Sequence, residues 1–176
     1  KKAFKIALVV ATVFSLAQLV SGHSSANGVA VNQPAKLAAF EGHFEKEAPA
    51  PMYLIGWVDK SSQTVTGLSI PGGLSFLLHY EFGAPVTGLN AFPEEDRPSQ
   101  VNAVFQFYHI MISIGMFLIV LTLAGCVQWY RGKLFESRRL LWVFSFAVIL
   151  PQIANQVGWF AAEMGRQPWV VYGLLR

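Results

Sequence analysis

Apolar residues run almost without interruption from Phe4 to Ser21, from Val101 to Tyr130 and from Leu140 to Glu163. A helix needs about 20 such residues to cross a bilayer. The first run is marginal by that measure, and the other two exceed it. Two runs also carry polar residues at helical spacing. Gln152, Asn155, Gln156, Trp159 and Glu163 follow Pro151 mostly at steps of three and four, and Asn102, Gln106, His109 and Ser113 repeat the pattern one run earlier. Each set falls on one helical face. Lipid cannot satisfy those groups, so the stripes must face other helices, water or a ligand. Three helices are too few to enclose them, and the two stripes are expected to meet or to share a ligand.

Between the first two runs the pattern changes. Pro34 suits a first helical position, and Leu37, Phe40 and Phe44 then share a face, which predicts a short amphipathic helix. Pro49-Ala50-Pro51 ends it. Met52 to Val58 and Gln63 to Ile70 flank the polar turn Asp59-Lys60-Ser61-Ser62 as a candidate hairpin. From Pro71 to Pro98, Gly, Pro and acidic residues predict irregular loop. The fold class expected is an all-α membrane protein with three spans. It divides into a transmembrane helix at 1–21, an extracytoplasmic loop at 22–100, a second helix at 101–130, a cytoplasmic loop at 131–139, a third helix at 140–164 and an extracytoplasmic tail at 165–176.

Composition supports this division: 53% of the 176 residues are hydrophobic and 13% charged, against about a quarter charged in soluble domains. Basic residues set the orientation, with Lys1, Lys2 and Lys5 before the first span and Arg131, Lys133, Arg138 and Arg139 between the second and third. Acids outnumber bases eight to four between Gly22 and Gln100, which places that segment outside. The net charge of +3 is thus a sum over opposite faces and gives no support to nucleic-acid binding. Lys1 to Gly22 also has the pattern of a signal peptide as an alternative to a span. Because the chain begins without Met, it reads as a fragment of something longer. The single Cys126 excludes a CxxC redox or metal site, and His23, His43, His79 and His109 fit no standard zinc spacing.

Glu163 is the sharpest candidate, since an ionisable group closing an apolar span is costly. Proton carrier, metal or haem-iron ligand, and plain interfacial acid are all open to it. Met111, with Gly115 one turn on, offers a thioether and space beside it; a Met in an apolar helix is otherwise core filling. His109 is a ligand by residue type and more often a packing group. Lys36 and Glu41 sit five apart, about 140° around a helix, so they make a poor intrahelical pair. A solvated surface pair is the default reading, and a site that binds an oxygen and accepts a proton is the functional one. Arg166, three residues after Glu163, serves as a salt-bridge anchor or as a fork donor to a haem propionate. Trp129, Trp142, Trp159 and Trp169 fit an interfacial belt.

Taken together, these residues resemble subunit I of the cytochrome bd quinol oxidases. Gly158-Trp159 through Glu163 to Gly165-Arg166-Gln167-Pro168-Trp169 is similar to the family's GWxxxExGRQPW signature, and Gln33-Pro34-Ala35-Lys36-Leu37-Ala38-Ala39-Phe40-Glu41 is similar to the start of its quinol-binding loop. The resemblance covers essentially the whole chain and the later part of the family's subunit. It implies that Lys36 and Glu41 act in quinol oxidation and that Met111 is an axial ligand of low-spin haem b. It further implies that Glu163 ligates a high-spin haem, b or d, that Trp159 lies between haems, and that Arg166 belongs to the cofactor-binding set. The family carries Arg where His109 stands, and two further haem-ligating histidines in segments preceding Lys1.

The function implied is part of a terminal oxidase of a bacterial or archaeal cytoplasmic membrane. It takes electrons from quinol at the outer face, reduces oxygen to water and builds a proton gradient without pumping. Its partners would be the remaining spans of subunit I and a second oxidase subunit, and the fragment alone would be inactive. The rival readings are a non-catalytic assembly or scaffold protein, and a transporter fragment with Glu163 as proton relay.

Overall fold

The computed structural model describes all 176 residues. Its six helices and two strands run in the order α1 (Lys2–Asn32), α2 (Pro34–Glu41), β1 (Met52–Asp59), β2 (Thr64–Ile70), α3 (Gly73–His79), α4 (Val101–Tyr130), α5 (Arg138–Ala147) and α6 (Leu150–Arg166). Short 3₁₀ turns lie at Leu89–Ala91 and Glu94–Asp96. Three stretches are long and apolar enough to cross a membrane: Lys2–Asn32, Glu94–Tyr130 and Arg138–Arg166. The chain forms two compact units, residues 1–23 with 110–156, and residues 24–109 with 157–176.

Several element boundaries differ from the expectation. α1 runs on to Asn32 instead of ending near Ser21, because no proline lies between Gly22 and Asn32 to break the helix. It stops where Gln33 takes an extended φ of −143°. A residue before proline is pushed out of the helical region, and Pro34 follows. The third span is two helices, interrupted at Val148 and Ile149. Pro151 has no N–H to give the carbonyl four residues back, Ala147, which is the residue at which α5 ends. The stretch from Pro71 to Pro98 is not uniformly irregular, since α3 occupies its first third.

In the first unit, rings and small residues bring the start of α1 against the end of α4 and the start of α5. Phe4 meets Phe135 and Phe144 edge to face at 6.0 and 5.4 Å. The Thr12 hydroxyl lies 3.3 Å from Cys126 Sγ. Lys5 Nζ sits 5.0 Å from the Trp129 ring centre and Lys1 Nζ 5.6 Å from that of Phe135. Both basic clusters of this unit therefore lie at one end of it.

The second unit holds the main core. Ala38, Ala39 and Phe40 of α2, Val58 of β1, and Val101, Val104 and Phe105 of α4 pack together with Phe44, Leu89 and Ala161. α2 was expected to bury one face, yet Ala35 and every residue from Leu37 to Glu41 are buried. The hairpin forms as predicted, β1 pairing antiparallel with β2 from Met52↔Ile70 to Asp59↔Thr64, with an irregularity between Tyr53 and Ile55. The fold is thus helical with a small two-stranded sheet, not all-α. Gly42 joins α2 to this sheet in the left-handed conformation, φ +71°, and a Cβ there would lie 2.8 Å from Val65 and 3.1 Å from Val58. Backbone strain alone makes Gly42→Ala cost about 1–2 kcal/mol. The thermal midpoint in detergent should fall accordingly, and an unchanged midpoint would show that this turn is not under constraint.

Candidate functional site

The polar stripe of α4 finds a different partner from the one expected. Asn102 Oδ1 accepts from the Val58 amide at 3.0 Å, Gln106 Nε2 donates to the Gly56 carbonyl at 2.7 Å, and His109 Nε2 lies 2.8 Å from the Tyr53 carbonyl. Successive turns of the helix therefore satisfy backbone groups of β1, which has β2 as its only strand partner. The stripe caps a sheet edge instead of meeting the stripe of α6. His109 is fully used by this arrangement, because its Nδ1 also lies 2.8 Å from the Phe105 carbonyl. It is a packing group, the milder of the two readings its residue type allows.

On α6 the stripe stays open. Gln152, Asn155, Gln156 and Trp159 are exposed in this chain, and Trp159 retains 58% of its surface. One turn after Trp159 stands Glu163, half-buried and paired with Arg166 on the next turn. α6 approaches α2 closely here because residue 165 has no side chain. A Cβ on Gly165 would come within 3.0 Å of the Phe40 ring and 3.2 Å of Lys36 Cγ.

That approach puts Lys36 beside the Glu163–Arg166 pair. Burial and the Arg166 guanidinium push the Lys36 amine below its ordinary value, and Glu163 partly offsets them. The ammonium also lies 5.6 Å from the centre of the Phe40 ring. A small cavity of about 10 Å³ opens alongside, lined by Gln33, Lys36, Asp96, Arg166, Trp169 and Tyr172 among others. Arg166 Nε and Trp169 Nε1, both donors, are buried there without hydrogen-bond partners, as is the acceptor Gln33 Oε1. Two unused N–H groups beside a lysine favour an acidic or oxygen-rich group.

Glu41 points elsewhere. It is only 3% exposed, which overturns the default reading of Lys36 and Glu41 as a solvated surface pair. Burial pushes its carboxyl up to about 7, and the nearby Tyr108 phenol acts in the opposite direction. Its Oε2 has no partner. The Tyr108 ring stacks on Phe40 at 4.4 Å with 10° between planes. Sequence reasoning did not single out Tyr108, although a phenol within an apolar helix needs a partner and so carries a signal.

Met111 lies in the other unit, half-buried on α4. Gly115 follows one turn later, and a Cβ there would meet nothing within 4 Å. The thioether thus has open space beside it on the same face. Lys36, Glu41, Trp159, Glu163 and Arg166 all belong to the second unit.

All of residues 1–176 match the family described as cytochrome bd terminal oxidase subunit I. The chain is 37% identical over 180 residues to a putative cytochrome bd menaquinol oxidase subunit I of Bacillus subtilis, covering 100% of this chain and 40% of that protein. It is 31% identical to the cytochrome bd ubiquinol oxidase subunit 1 of the same organism, again covering 40% of the relative. A cytochrome bd-II ubiquinol oxidase subunit 1 of Escherichia coli is 28% identical, with 47% of its length covered. Among solved structures, the bd oxidase from Geobacillus thermodenitrificans superposes with a TM-score of 0.81 at 36% identity, over 99% of this chain and 40% of that one. The chain therefore spans less than half the length of each of these relatives.

Proposed function

The chain belongs to the cytochrome bd terminal oxidase subunit I family, and from that membership we propose that it is the quinol-oxidising part of a haem-containing terminal oxidase reducing oxygen to water. One observation carries the reading. The α2 segment that resembles the start of the quinol loop and the α6 segment that resembles the haem-binding signature pack directly on each other through Gly165, with Lys36 next to Glu163 and Arg166. Quinol oxidation needs a group that holds an oxygen and a group that takes its proton. Lys36 is the cation for the first task and Glu41 the acceptor for the second. Burial keeps Glu41 close to the pH at which a carboxyl both takes and releases a proton.

The side chains present also fit haem. Met111 supplies a thioether, a known axial donor, and Glu163 a carboxylate, an anionic oxygen donor for iron, while Arg166 Nε and Trp169 Nε1 are unused donors suited to a propionate. The exposed Trp159 and the open α6 stripe offer a surface that a flat macrocycle can cover. Glu163 would hold a high-spin haem, b or d, and Met111 the low-spin haem b. When bound, haem supplies one-electron transfer and the reduction of oxygen. In this reading the long segment between α1 and α4 faces the outside, so quinol protons leave there. Protons for water come from the cytoplasmic side, and charge is separated without pumping. The remaining spans of subunit I and a second subunit complete the enzyme in a bacterial or archaeal membrane.

Met111→Leu tests the thioether assignment. The exchange keeps volume and costs less than about 1.5 kcal/mol in packing, so the protein should assemble. The low-spin haem spectrum should change while the high-spin component stays, and an unaltered low-spin spectrum would remove Met111 from the ligand set.

A further inference from the structure

The cavity beside Lys36 has one wall unlike the rest. Gln33 and Lys36 line it from α2, which is buried almost throughout, and Arg166 lines it from α6, where Gly165 packs on Phe40. Tyr172 lines it from the tail after α6, residues 167–176. Packing is thin there: Val170, Val171, Leu174 and Leu175 are exposed, Leu174 to 84%. From Val170 onward the backbone hydrogen bonds stay within the tail, which turns at Gly173, φ +74°, and bridges Val171 to Leu175. Arg176 ties this turn to its surroundings. Its guanidinium pairs with Asp96, lies 3.6 Å from Glu95 and sits 4.8 Å from the centre of the Trp169 ring. Asp96 lines the same cavity, whereas Glu95 and Arg176 are exposed, so salt reaches these ion pairs.

We propose that residues 170–176 form a strap that closes this cavity, with Tyr172 as its plug and Arg176 as its latch, and that the quinol headgroup enters when the latch releases; this rests on the proposed place of quinol beside Lys36. A cavity of about 10 Å³ holds a water, whereas one that takes a benzene ring measures about 150 Å³. A quinol ring therefore reaches Lys36 only when a wall moves. α2 and α6 are fixed by the core through Ala38, Ala39, Phe40 and Ala161. The strap is held by solvent-exposed ion pairs, which resist opening weakly. Withdrawal of Tyr172 vacates the space of a hydroxylated six-membered ring, and that is the shape of the entering headgroup.

The closed strap excludes quinol, so apparent affinity scales with the open fraction. In the assembled oxidase that contains this chain, kept in native lipid, Arg176→Ala should lower KM for a short-chain quinol about two- to fivefold at low ionic strength, the range that exposed ion pairs support. Haem content and kcat should stay unchanged. In wild type KM should fall toward the variant's value as salt is raised, while KM of the variant stays level. Tyr172→Ala should lower KM at every salt concentration. Amide hydrogen exchange gives a readout apart from turnover: residues 170–175 should exchange faster in Arg176→Ala, with α2 unaffected. A KM that Arg176→Ala leaves in place or raises at low salt overturns the proposal, as does unaltered exchange in the strap. The salt series on wild type needs no substitution, so a salt-independent KM overturns it even should Arg176→Ala fail to assemble. Lys36→Ala separates the two layers. Lost quinol oxidation in Lys36→Ala with an unmoved KM in Arg176→Ala rejects the strap alone. Retained oxidation in Lys36→Ala moves the quinol site away from α2 and takes the strap with it.

Discussion

Glu163→Ala is expected to abolish the high-spin haem signal and to lower oxygen consumption by more than about 100-fold, since removing even a supporting partner of a metal ligand costs 10–100-fold. Two losses combine in this variant. The carboxylate that would bind iron disappears, and the guanidinium of Arg166, which it pairs with, is left without its anion next to Lys36. The space beside α2 would then hold Lys36 and Arg166, with Asp96, which Arg176 already engages, as the remaining acid, so the acidic groups of a haem would gain electrostatically even as the iron lost its ligand. Glu163→Gln separates these contributions, because it keeps the shape and a weak oxygen donor while removing the charge. Reduced-minus-oxidised optical spectra of the purified oxidase read both variants. An intact high-spin component in Glu163→Ala would remove this residue from the iron, and the resemblance of α6 to the haem signature would then reflect packing alone.

Quinol oxidation should fail in a different way when α2 is altered. Lys36→Ala is expected to lower kcat/KM for quinol by about 100-fold, the scale of one positioned acid–base group, with haem content unchanged. The distinction follows from the structure: Lys36 lies against Phe40 and the α6 backbone near Gly165 and is not one of the two residues proposed to hold iron. Glu41 adds a pH dependence of its own. Its carboxyl titrates near 7 because burial disfavours the charge, and the ionised fraction rises with pH. Between pH 6 and pH 8 the rate should therefore rise about tenfold, and the Glu41→Gln variant should show low turnover with no such rise. Normal turnover in Lys36→Ala, with haem intact, would move the quinol site away from α2.

The spans and the hairpin were legible because each rests on local pattern. Long apolar runs announce α1, α4 and the α5–α6 pair, and the polar turn at Asp59 to Ser62 fixes β1 and β2 nearly to the residue. What local pattern could not give were tertiary exchanges. α3 is seven residues long, too short to show a helical period. It is held by the Ser75 hydroxyl, which accepts from the Ala50 amide at 2.8 Å and donates to the Ala84 carbonyl at 2.7 Å. The break at Val148–Ile149 was in principle readable from Pro151, whose missing N–H leaves the Ala147 carbonyl free.

The site divides in the same way. Residue type and spacing single out Glu163, Arg166, Lys36 and Glu41, but they make the α2 pair a solvated one. Only the packing of α2 between α4 and the sheet shows that Glu41 is buried and that Lys36 turns toward α6. The stripe of Asn102, Gln106 and His109 is a clear periodic signal whose meaning the sequence could not supply. Polar groups in an apolar helix require partners, and the backbone of a strand edge serves as well as a neighbouring helix or a cofactor.

The account depends on iron porphyrin occupying the surroundings of these polar groups in the assembled enzyme. The most direct test is the reduced-minus-oxidised optical spectrum of the assembled oxidase that contains this chain, isolated gently from its native membrane and treated with quinol. The account predicts both low-spin and high-spin haem bands, with the low-spin component reduced by quinol in wild type and about 100-fold more slowly in Lys36→Ala. A colourless preparation free of iron would contradict it.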